Sequence, residues 1–64
     1  MPEEIRQARK ELGLSGEQMA EMLGYGPVRQ RVSAIEAGRV VPHDAVVRLL
    51  RAYLAGYRPP DWPV

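Results

Sequence analysis

Apolar positions along this chain recur at helical spacing in four separate segments. The clearest set is Val46, Leu49, Leu50, Tyr53 and Leu54, which follows the i, i+3, i+4, i+7, i+8 pattern and leaves Arg48, Arg51 and Ala52 outside. It predicts a core-facing helix that starts near His43 or Asp44 and runs to Ala55, with Gly56 behind it. At the other end of the chain Ile5, Ala8 and Leu12 share one face of a helix over residues 2–12, with Arg9 at that face's edge. Met19, Ala20, Met22 and Leu23 give the inward face of a second, short helix whose Glu17 and Glu21 point out. In a third, Val28, Val32 and Ile35 form the buried stripe, while Gln30, Ser33 and Ala37 fall on the opposite face with Arg29 and Ala34 at its flanks. The expectation is an all-α fold, a compact bundle of four helices in one domain spanning residues 1–64.

Residues at the ends of these segments sharpen the reading. Ser15 is suited to cap the second helix, Gln18 three positions on completes a capping box, and Leu14 and Met19 occupy the two positions of a hydrophobic staple. Gly24 and Gly38 stand where left-handed C-terminal caps are expected, and Gly13 follows the first helix. Pro27 fits the first position of the third helix, where its missing N–H costs nothing. Glu3 and Glu4 near the start of the first helix, and Arg9 and Lys10 near its end, match the helix dipole. The tail, residues 57–64, contains Pro59, Pro60 and Pro63 and cannot be a long helix. Its Trp62, the only tryptophan, either folds back on the core or meets a partner.

Composition narrows the class. With 64 residues the chain is one small domain, in the range where only about 60% of the unfolded surface is buried. It has no cysteine, which excludes disulfides and thiolate metal sites, and its lone His43 supplies no metal cluster, so neither a metal nor a cofactor is expected. No apolar run approaches the ~20 residues that span a bilayer, and the acidic start is unlike a signal peptide, so a cytoplasmic location away from membranes is expected. The net charge of +1 is small but uneven. Up to residue 28, Glu3, Glu4, Glu11, Glu17 and Glu21 outnumber Arg6, Arg9 and Lys10. From residue 29 on, Arg29, Arg31, Arg39, Arg48, Arg51 and Arg58 outnumber Glu36, Asp44 and Asp61. Arginine is the side chain best suited to phosphate and to guanine.

The outer face of the third helix mixes hydrogen-bonding side chains with small ones, which permits close approach of another surface. One such surface is the roughly 12 Å wide major groove of DNA, which admits one α-helix. Residues 15–38, two short helices joined by a glycine-bearing turn, form a helix-turn-helix pattern. Several residues carry a likeness beyond it: an arginine four residues before Gly13, the pairs Met19-Ala20, Leu23-Gly24 and Val32-Ser33, the run Ile35-Glu36-Ala37-Gly38, and Pro42. On these the chain resembles the Cro/repressor-type (Xre-like) helix-turn-helix family, with a lambda-repressor-like fold, from Ile5 to Trp62. There are two departures. Gly16 stands where the family often has a phosphate-binding glutamine, and the turn around Gly26-Pro27 is about two residues longer. Asp61-Trp62 resembles the start of a fifth helix, cut short here by Pro63.

The resemblance implies a transcriptional regulator, a homodimeric autorepressor binding double-stranded DNA at a palindromic operator. It implies base contacts from Arg29, Gln30, Ser33 and Ala34, with Arg29 placed to read guanine or to touch phosphate, and backbone contacts from Ser15, Gly16, Arg31, Arg39 and His43, helped by N–H groups at the starts of helices two and four. It further implies a pair between Arg9 and Glu36 and a dimer surface drawn from Tyr53, Leu54, Tyr57 and Trp62. A competing expectation is an antitoxin-like or adaptor module that binds a protein such as a toxin, using the Trp62 tail. An enzyme is not expected, because the single histidine has no paired nucleophile and the carboxylates sit at helix starts and outer faces.

Overall fold

The computed structural model describes residues 2–63. They form four α-helices: α1 (Pro2–Leu12), α2 (Gly16–Met22), α3 (Arg29–Glu36) and α4 (Asp44–Leu54). α2 packs on α3, and α1 packs against both α3 and α4. Ile5, Ala8 and Leu12 of α1, Leu14, all four inward residues predicted for α2, Val32 and Ile35 of α3, and Leu50 and Tyr53 of α4 make one continuous buried cluster. No helix of the described residues is long and apolar enough to cross a membrane.

Local chemistry sets the helix ends. The capping box forms as expected: Ser15 Oγ accepts from Gln18 N–H at 3.1 Å, and Gln18 Oε1 accepts from Ser15 N–H at 2.9 Å. All four helices close with the same two backbone bonds, a glycine N–H to the carbonyl three residues back and the next N–H to the carbonyl five back. After α2 these are Gly24 to Glu21 at 3.1 Å and Tyr25 to Ala20 at 2.9 Å; after α3 they are Gly38 to Ile35 at 3.0 Å and Arg39 to Ala34 at 2.9 Å. This is the Schellman motif, and its first residue needs a positive φ, +89° at Gly24 and +77° at Gly38, which glycine adopts without strain.

Two expectations are corrected. Pro27 does not open α3: Val28 N–H bonds to Gly26 carbonyl at 2.7 Å, so Pro27 is the centre of a three-residue turn, a place its fixed φ suits equally well. The helix therefore begins at Arg29 with Val28 as its N-cap, and Val28, lying outside the helix, is 41% exposed and not part of the buried stripe. The stripe of α4 is also narrower than its periodicity suggests, for Leu54 is 44% exposed. Past Gly56 the chain returns over Tyr53 and leaves Leu54 uncovered. In keeping with the cut expected at Pro63, no fifth helix forms among the described residues. The tail makes a single turn, with Trp62 N–H bonded to Pro59 carbonyl at 3.1 Å.

Candidate nucleic-acid interface

α3 is held from behind by Val32 and Ile35, 0% and 1% exposed, so its opposite face is presented to solvent. Gln30, Ser33 and Ala37 on that face are exposed, as is Arg29, while Ala34 at the flank is half-buried. Four of the residues expected to touch bases, Arg29, Gln30, Ser33 and Ala34, thus lie within two adjoining turns of one helix. The face is small in volume and carries no acidic side chain.

An ion pair ties the far end of this helix to α1. Arg9 of α1 donates through Nε at 3.3 Å and Nη2 at 3.2 Å to one carboxylate oxygen, Oε1, of Glu36, the last residue of α3. Arg6 Nε lies 3.9 Å from the same oxygen. Glu36 retains 12% of its side-chain exposure and Arg9 27%, so the pair is partly desolvated.

Around the face stand the residues expected to touch the DNA backbone. Ser15 and Gly16 are at the start of α2, where Ser15 Oγ is already engaged in the capping box. Arg39 is exposed in the loop after α3, and Arg31 is exposed with its guanidinium 6.0 Å from the centre of the Tyr25 ring. His43 is the N-cap of α4, its Nδ1 accepting from Ala45 N–H at 3.1 Å. That bond leaves Nε2 as the hydrogen-bond donor of the neutral ring, on an exposed residue. Arg29 has an unforeseen neighbour. A Cβ placed on Gly16 would stand 2.8 Å from Arg29 Cγ and 3.3 Å from its Cδ, so the arginine stem lies directly against the bare backbone of Gly16.

The residues expected at a dimer surface lie close together, with the Tyr53 and Tyr57 rings stacked at 6.0 Å, but differ in exposure. Tyr53 is 3% exposed and belongs to the core of this chain; its hydroxyl donates to the Met22 carbonyl. Trp62 packs edge-on to Tyr53 with ring centres 5.0 Å apart, and the Arg58 guanidinium covers the indole at 4.4 Å. Of the four, only Leu54 and Tyr57 are exposed. The part played by Arg58 had a signal in the sequence that was not read. A basic residue just past a helix end can bond its last carbonyls, and Arg58 Nη1 does so to Tyr53 at 2.8 Å while also donating to the carbonyl of its neighbour Tyr57 at 2.9 Å.

These features, two packed helices around a glycine turn with the second turned outward, define a helix-turn-helix module. A family model described as Helix-turn-helix domain matches residues 3–61, and the chain belongs to that family. No curated protein and no solved structure matches the chain.

Proposed function

We propose that the protein is a sequence-specific regulator that binds double-stranded DNA with α3 in the major groove. The observation that carries this reading is the outer face of α3, where Gln30 and Ser33 stand exposed between small residues on a helix braced by Val32, Ile35 and the Arg9–Glu36 pair. A glutamine amide can both donate and accept, which matches N7 and N6 of adenine, and serine reaches a base edge without holding the helix away. Helix-turn-helix proteins seat their second helix in this manner. Binding as a homodimer on an inverted repeat, as an autorepressor in the cytoplasm without catalytic activity, completes the proposal. Leu54 and Tyr57 supply the exposed apolar surface for a dimer. Two-fold symmetry then places the two copies of α3 about 34 Å apart, one turn of DNA.

A second reading, a module that binds a protein such as a toxin, draws on Val40 and Val41 in the loop after α3. Val41 is 89% exposed. Selection from a random pool of duplexes tests the two. A palindromic consensus supports the DNA-binding dimer, and a pool that shows no enrichment overturns it in favour of the second reading.

A further inference from the structure

Gly16 is the first residue of α2, and its backbone lies outside the positive-φ region, so any residue would fit its conformation. Glycine is among the poorest helix formers, and local structure gives no reason for it here. Space does. The stem of Arg29 occupies the volume that a side chain at position 16 would fill, with Cγ 2.8 Å and Cδ 3.3 Å from the Cβ that glycine lacks. An alanine there would have to push the stem away, because Cγ is close to the main chain and cannot swing aside without a change of rotamer.

Consequently Arg29 does not project forward with Gln30 and Ser33. Its stem leans sideways from α3 onto α2, and its guanidinium has no hydrogen-bond or ion-pair partner among the described residues. In a helix-turn-helix complex the first of the two helices crosses the DNA backbone while the second fills the groove. A cation that emerges at the seam between them faces the wall of the groove, where the phosphates are, and its forked donors suit a phosphate.

We infer that Arg29 is a phosphate-contacting residue and that Gly16 is its positioning residue, a pairing that rests on the DNA-binding reading above. The positioning role of Gly16 lies in the side chain it lacks. It acts by leaving open the slot in which the arginine stem lies.

The test measures binding of the intact protein to a mixed-sequence duplex and to the sequence recovered by pool selection, over a range of salt. Arg29→Ala is expected to weaken both by about tenfold, to flatten the salt slope by about one unit per protomer, and to leave the selected consensus unchanged. Gly16→Ala is expected to weaken both in the same way while leaving the thermal midpoint level or higher, since alanine favours the helix. In the Arg29→Ala background it should have no further effect. Relaxed selectivity at one base pair in Arg29→Ala would show that the residue reads a base and would overturn the assignment. A Gly16→Ala protein that binds like the original, or whose effect adds to that of Arg29→Ala, would overturn the positioning role. If the unsubstituted protein binds neither duplex, the DNA reading itself fails and the assignment with it.

Discussion

The Tyr53 hydroxyl of α4 donates a hydrogen bond to the Met22 carbonyl at the end of α2, 31 residues away in sequence. The carbonyls in the last turn of α2 are all occupied: Met19, Ala20 and Glu21 accept from Leu23, Tyr25 and Gly24, and Met22 has the tyrosine. A buried carbonyl left without a donor costs about 1–3 kcal/mol, so Tyr53→Phe is expected to lose stability in that range with its packing intact. Burial, followed by the Asp61 carboxylate and the Tyr57 ring, raises the Tyr53 pKa above the usual tyrosine value of 10.0. The folded state therefore holds this proton after the unfolded state has released it. The unfolded chain binds fewer protons at that point, so stability falls as pH rises above about 10. Denaturant melts at neutral and alkaline pH check both points. If the unsubstituted protein and Tyr53→Phe lose stability in parallel on the alkaline side, Tyr53 is not the titrating group.

Tyr53 also shows where the sequence stopped being informative. The capping box was legible because Ser15 and Gln18 carry both halves of the bond three residues apart, and the Schellman glycines were legible for the same local reason. The core faces of α1 and α2 followed from periodicity. What periodicity cannot express is which side of a wide apolar stripe the neighbours cover. Tyr53 and Leu54 looked equivalent, yet the returning tail buries the first and leaves the second 44% exposed. Pro27 misled because the same fixed φ suits a helix start and the centre of a tight turn. At the candidate interface, the exposure of Gln30 and Ser33 could be read from the wheel. The contact of Arg29 with Gly16 could not, since it depends on how two helices approach.

The Arg9–Glu36 pair joins α1 to the end of the proposed recognition helix, and Glu36 is largely withdrawn from water. Removing Arg9 leaves that carboxylate with only the distant, half-exposed Arg6 at 3.9 Å. Because the site is only partly buried, the expected loss for Arg9→Ala is about 1–3 kcal/mol, between the values for surface and for deeply buried pairs. Glu36→Ala should cost no more, as Arg9 is the more exposed partner. Thermal melts of both variants and of the double variant give the coupling energy, and single variants that melt with the original protein would show that the pair contributes nothing.

Trp62 is the only tryptophan, so its fluorescence reports the tail alone. Packed edge-on against Tyr53 and covered by Arg58, it should unfold together with the helices, and its transition should coincide with that seen by circular dichroism. Trp62→Ala is expected to lose about 1–3 kcal/mol, less than a fully buried tryptophan. The same experiment separates a tail that covers its own core from one that serves a dimer. An intrachain role predicts that the unsubstituted protein and Trp62→Ala show the same dependence of the midpoint on protein concentration, whereas a dependence that Trp62→Ala abolishes would place Trp62 at an interface.

The proposed complex divides work between the helix face and the loop that follows it. Gln30 is exposed and its side chain makes no hydrogen bond among the described residues, so Gln30→Ala should change stability by no more than about 0.5 kcal/mol. Its effect on binding should be larger, about 1–3 kcal/mol on the preferred site, and confined to one base pair where selectivity relaxes. Arg39 differs in kind. It lies beyond the end of α3, after the Schellman turn, and the proposed complex assigns its charge to phosphates. Arg39→Ala is therefore expected to weaken all sequences alike and to flatten the salt slope by about one unit per protomer, with the ranking of operator variants preserved. Binding titrations against a set of single-base operator variants at two salt concentrations distinguish the two outcomes. A ranking that survives Gln30→Ala but shifts in Arg39→Ala would mean that the reading face lies elsewhere, toward the end of α3 and the loop after it.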